Sequence, residues 1–167
     1  MRRRIYPWKS DPTIVISDDT IQHVVNAAVN TLYNCAQETL VDGMARERQQ
    51  YSGDGSHQLH AVIQTLGDIT LPYRFVNTFS QGLSIDGYFM DSWPAWDRLA
   101  RTVERQMHLT GWGPILDHSI GFCFDAFHYY MYTGDLQGLK EVYPRLLSFF
   151  SYLYKFCLLY TSDAADD

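Results

Sequence analysis

The chain has 167 residues and a formal net charge of −6, and it is 46% apolar and 15% aromatic. That length suits one domain with a substantial core, and the composition excludes a disordered chain. No run of about 18 apolar residues predicts a membrane span, net acidity argues against a nucleic-acid partner, and three scattered cysteines make no disulfide framework or zinc site.

Residues 1–16, with a basic start, two prolines and the β-branched run Thr13 to Ile16, read as a linker or the end of a preceding β domain. Met1-Arg2-Arg3-Arg4 is not followed by an apolar core, so no signal peptide is visible and the location stays open. Ser17-Asp18-Asp19 supplies N-cap oxygens for a first helix to about Ala36, with Ile21, Val24, Val25, Ala28 and Leu32 as its stripe. A charged loop follows. Asp54-Gly55-Ser56 then caps a second helix, His57 to Leu66, and Gly67-Asp68 separates it from a third, Leu71 to Gln81. Gly82 to Asp91 is a loop. Pro94 opens a fourth helix to about Leu109, stopped by Thr110-Gly111-Trp112-Gly113-Pro114. A fifth runs from Leu116 to Tyr132 and ends at Gly134, and a sixth spans Leu136 to Phe156, where Pro144 should start a new turn or kink it.

Six helices joined by loops of alternating length predict an all-α domain over residues 17–156, built of helical hairpins packed side by side, with Phe122, Phe124, Phe127, Tyr130 and Phe150 on the buried sides. No self-similar period supports a solenoid. Residues 157–167, Cys-Leu-Leu-Tyr-Thr-Ser-Asp-Ala-Ala-Asp-Asp, resemble translated sequencing adapter and are expected to be a non-native tail.

Charge is concentrated in VDGMARERQQYSGDG, residues 41–55, where Asp42, Glu47 and Asp54 accompany Arg46 and Arg48 between glycines. A glycine-bounded loop can converge its side chains on a ligand, and carboxylates bind sugar hydroxyls and pass protons to a glycosidic oxygen. In an extended stretch Arg46 and Arg48 point away from the Glu47 face and neutralise Asp42 or Asp54. A proton donor at Glu47 would be favoured by the neighbouring acids and opposed by the arginines. On these residues alone, a solvated, salt-bridged loop remains open.

The loop resembles the catalytic loop of bacterial α-L-rhamnosidases of glycoside hydrolase family 78, which runs Asp-Gly-x-x-Arg-Glu-Arg, then an aromatic, then Gly-Asp. Asp42-Gly43, Arg46-Glu47-Arg48, Tyr51 and Gly53-Asp54 match it in order and spacing. Similar stretches are Cys35 to Thr39, Trp112-Gly113-Pro114 with Asp117-His118, and Tyr132-Thr133-Gly134-Asp135, so the likeness covers about residues 12–156. It implies roughly the first half of an (α/α)6 toroid of antiparallel helical hairpins. It also implies inverting hydrolysis of terminal α-L-rhamnosides, with a rhamnose-containing glycoside or polysaccharide as partner and no cofactor.

By the same resemblance Glu47 is the general acid, Asp42 and Asp54 bond the rhamnose hydroxyls, and Arg46 holds the sugar or the carboxylates. Tyr51 stands where many members carry Trp and would stack on the sugar, and Trp112 and Asp117 would form the pocket's rim and floor. Inversion needs a second carboxylate about 6.5 to 9.5 Å from the acid. In the family that base is a glutamate late in the toroid, so it is expected beyond Phe156 and these 167 residues alone are expected to be inactive. A half toroid should also expose apolar helix faces. Other readings are another six-hairpin glycosidase, such as an unsaturated glucuronyl hydrolase or a glucoamylase-like enzyme, and a non-catalytic helical sugar-binding protein.

Other polar signals carry less. His57 and His60 share a helix face, but no thiolate or carboxylate joins them at metal-ligand spacing, so no metal is expected. His118 beside Asp117 reads equally as a sugar contact or as part of a helix start. Ser52 and Ser56 sit in no nucleophile elbow.

Overall fold

The computed structural model describes residues 6–12, 14–45, 47–94 and 115–163, with side chains as far as Leu158. The helix expected from Pro94 to Leu109 falls almost wholly outside them, as do Arg46 and Trp112. The described helices are α1 (Asp19–Cys35), α2 (Ser52–Leu66), α3 (Thr70–Ser80), α4 (Leu116–Thr133) and α5 (Leu136–Asp163). Among the described residues there is no strand, only isolated bridges, and no helix is long and apolar enough to cross a membrane. The domain is all-α.

Local chemistry sets most of the helix ends. Asp18 caps α1 by accepting from the Thr20 and Ile21 N–H groups at 2.9 and 3.0 Å. Gly67 (φ 63°) and Gly134 (φ 67°) end α2 and α4 in the left-handed conformation that glycine adopts without a Cβ penalty. Past each stop an aspartate starts the next helix. Asp68 Oδ1 accepts from Thr70 and Leu71 N–H at 2.8 and 3.0 Å, and Asp135 Oδ1 accepts from Gly138 N–H at 2.9 Å.

These two tight connections make α2–α3 and α4–α5 antiparallel hairpins, and bonds between the hairpins show how they stack. Ser52 Oγ donates to the His118 carbonyl at 2.9 Å, Ser56 Oγ to Asp125 Oδ1 at 2.6 Å, and His60 Nδ1 pairs with Tyr132 Oη at 3.0 Å. The numbers rise together, so α2 and α4 run parallel. Tyr73 Oη donates to Glu141 Oε2 and Arg145 Nη1 to Ser80 Oγ, both at 3.1 Å, so α3 and α5 are parallel too. Two layers, each of parallel helices and antiparallel to the other, are what side-by-side hairpins of a six-hairpin toroid require.

The core lies between these four helices. Phe75, Phe79, Phe89, Phe122 and Phe149 are fully buried, and Phe122 meets Phe79 at 4.7 Å between ring centroids and Phe89 at 5.1 Å. Phe122, Ala126 and Tyr129 form the buried stripe of α4.

Several expectations need correction. Phe124, Phe127 and Phe150 are more than half exposed, because they lie off the stripes of α4 and α5 that face the first hairpin. They continue into an open apolar face with Ile120 and Leu153. On α1, Ile21 and Val24 are exposed and only Leu32 and Cys35 are buried. Helix α2 begins at Ser52, five residues before His57, with the Tyr51 carbonyl accepting from Gly55 N–H at 2.9 Å. Helix α5 runs unbroken through Pro144, forgoing only the N–H bond that proline lacks, and continues to Asp163, since extending a formed helix is far easier than nucleating one.

Candidate functional site

The charged segment leaves α1 at Ala36 and closes into a compact loop. Asp42 N–H donates to the Gln49 carbonyl at 2.9 Å, and Gln49 N–H returns to Asp42 Oδ1 at 2.8 Å. Glu47 is therefore presented on a short arc whose ends are tied together. At Arg48 the chain is not extended as the sequence suggests. Arg48 takes a positive φ of 54° and turns the chain, while its Nε donates to the Met44 carbonyl at 3.0 Å.

Two buried glutamines that carry no motif anchor the arc. Gln50 Nε2 donates to Thr78 Oγ1 at 2.9 Å and to the Trp93 carbonyl at 2.7 Å, and Trp93 N–H donates to the Gln50 carbonyl at 3.0 Å. Gln49 Oε1 accepts from Ser92 Oγ at 2.6 Å, and Tyr51 forms a bridge with Ser92. Gln58, in the second turn of α2, donates from Nε2 to the Val41 carbonyl at 2.9 Å. The carboxylate loop thus lies against residues 91–93, which puts the buried Asp91 and the partly buried Trp93 beside it. Sequence reasoning passed over Gln49, Gln50, Asp91 and Ser92, because burial at these positions depends on a contact about 40 residues away.

Asp54 stands in the first turn of α2, not in the loop. Asp42 feels the other two carboxylates. Asp42 is held above the usual aspartate range mainly by burial, opposed by the Gln49 and Gly43 N–H groups and reinforced by the charges of Glu47 and Asp54. The buried Cys35 thiol, at the end of α1, is pushed up by burial and then by Asp42 and Asp54.

The start of α4 completes the described surroundings. The His118 ring packs on Gly53, with its Nδ1 buried and unpartnered among the described residues. Asp117 is exposed in the first turn of α4. Of the residues named from the sequence, the structure brings Asp42, Glu47 and Asp54 near one another, sets Tyr51 at the start of α2 against Ser92, and puts Asp117 in the first turn of α4. Arg46 and Trp112 lie outside the described residues.

Stacked helical hairpins of this kind are consistent with a helical-toroid domain, and the family match makes it one of the glycosidase class. The chain belongs to the bacterial alpha-L-rhamnosidase family: residues 10–156 match the model of the bacterial alpha-L-rhamnosidase 6 hairpin glycosidase domain. Comparison with curated proteins and with solved structures gave no match.

Proposed function

We infer that this domain is the acid-bearing side of a glycosidase active site that removes terminal α-L-rhamnose from a glycoside or polysaccharide with inversion. Glu47 is the general acid that protonates the departing oxygen. Asp42 and Asp54 accept hydrogen bonds from sugar hydroxyls, with Arg46 steadying the sugar or the carboxylates. Tyr51 and Trp112 offer apolar surface to the ring, and Asp117 contributes from the α4 end. The observation that carries this reading is the convergence of the carboxylates: both Glu47 and Asp54 raise the pKa of Asp42.

Inversion also needs a base that activates water on the far side of the ring, and none of the residues named above takes that role. Turnover of an aryl α-L-rhamnoside by the full-length protein, followed by NMR of the released anomer, tests the reading. Glu47→Gln is expected to lower kcat by about 10²- to 10⁴-fold with a small change in KM. Preference for a glucoside or an unsaturated uronide would overturn the substrate assignment, and unchanged turnover in Glu47→Gln would overturn the acid.

A further inference from the structure

We propose that His60, Asp125 and His128 bind a divalent transition-metal ion of the zinc class at the α2–α4 contact, apart from the carboxylate loop. One ligand atom from each of the three lies within 4.8 Å of those from the other two, and the rings of His60 and His128 meet at 4.9 Å between centroids. Asp125 and His128 lie three positions apart on α4, on the side that faces His60 of α2.

Two buried groups in this cluster lack partners among the described residues. Asp125 is 1% exposed, and while its Oδ1 accepts from Ser56 Oγ at 2.6 Å, its Oδ2 has no hydrogen-bond partner. His128 Nδ1 is likewise buried and unpartnered. Buried lone pairs without a donor are costly and rare in folded proteins, and a cation between them would satisfy both. The third group already has an outer partner. His60 Nδ1 pairs with Tyr132 Oη at 3.0 Å, and Gln64 Nε2 donates to the same oxygen at 2.9 Å. In the tautomer whose Nδ1–H donates to Tyr132, Nε2 is the lone pair left for a metal, the outer-shell arrangement that orients ligating histidines.

Two imidazoles and one carboxylate suit zinc, cobalt or nickel better than the all-oxygen preferences of calcium or magnesium. Zinc bonds of about 2.0–2.1 Å in a tetrahedron set ligand atoms roughly 3.3 Å apart. The side chains must therefore close by up to about 1.5 Å, at rings of His60 and His128 that are only half-buried. Water would take the fourth position. His60 is six residues beyond Asp54, roughly 9 Å along α2, so the ion would join the two hairpins and stay clear of the sugar.

Metal-free chain titrated with Co²⁺ should develop visible d–d absorption saturating at one equivalent, and Zn²⁺ should displace it and raise the Tm. Asp125→Asn and His128→Gln should each weaken binding by about 100-fold or more. Tyr132→Phe should weaken it by about tenfold, and His23→Gln on α1 should leave it unchanged. Far-UV circular dichroism of each variant verifies that the helices remain. No cobalt spectrum with the parent chain overturns the proposal, as does binding that persists within about twofold in both Asp125→Asn and His128→Gln.

Discussion

His118 at the start of α4 occupies the space that a side chain on Gly53 of α2 would need: a β-carbon at Gly53 would stand 2.6 Å from His118 Nε2. Glycine at this position lets the two helix ends close beside Asp54, and the Ser52 hydroxyl bonds the His118 carbonyl across the same contact. Gly53→Ala is expected to cost about 1–3 kcal/mol through overpacking, read as a lower Tm. His118→Ala in the Gly53→Ala background should recover most of the loss. An unchanged Tm in Gly53→Ala would show that the contact is loose.

The coupling between Asp42 and its neighbours gives a test that needs no substrate. Burial and the charges of Glu47 and Asp54 raise Asp42, so removing either charge should lower its titration midpoint. Carboxyl carbon NMR of Glu47→Gln and of Asp54→Asn reads this directly. Asp42 is expected to titrate at lower pH in both variants, and a midpoint unmoved in both would remove the electrostatic link between the carboxylates.

Asp125 sets a pH dependence of stability. Burial pushes its carboxyl up to about 6, against bonding from Ser56 and the charge of His57, whereas the unfolded chain titrates it near about 3.9. Between about pH 4 and pH 6 the metal-free folded state holds a proton that the unfolded state has lost. Stability therefore falls as pH rises through that window, and above it the buried charge costs roughly 2–3 kcal/mol. Asp125→Asn should accordingly be more stable than the parent at pH 7 in the presence of a chelator and equal to it near pH 4. Chemical denaturation at the two pH values checks this, and a variant less stable at pH 7 would contradict it.

How far the sequence was legible follows the range of the interactions. The Asp18 cap and the stops at Gly67 and Gly134 depend on a few adjacent residues, and the structure places them where the sequence does. The buried faces were harder to read. Phe122 and Phe124 are chemically equal, yet one is fully buried and the other is 59% exposed. Helical periodicity names the stripes of α4 but not which of them meets the first hairpin. The start of α2 was misread for a related reason. Asp54-Gly55-Ser56 is a good cap locally, but tertiary bonds from Ser52 to His118 and from Ser56 to Asp125 hold the preceding turn in the helix.

The order and spacing of Asp42, Glu47, Tyr51 and Asp54 are properties of the sequence, and they carry the resemblance to the family's loop because a loop motif is contiguous along the chain. The His60 cluster is of the other kind. From the sequence His57 and His60 are a pair with no third ligand, since Asp125 and His128 lie more than 60 residues away. Only the parallel packing of α2 on α4 brings those side chains within 4.8 Å, and burial there, not residue type, leaves Asp125 Oδ2 without a partner.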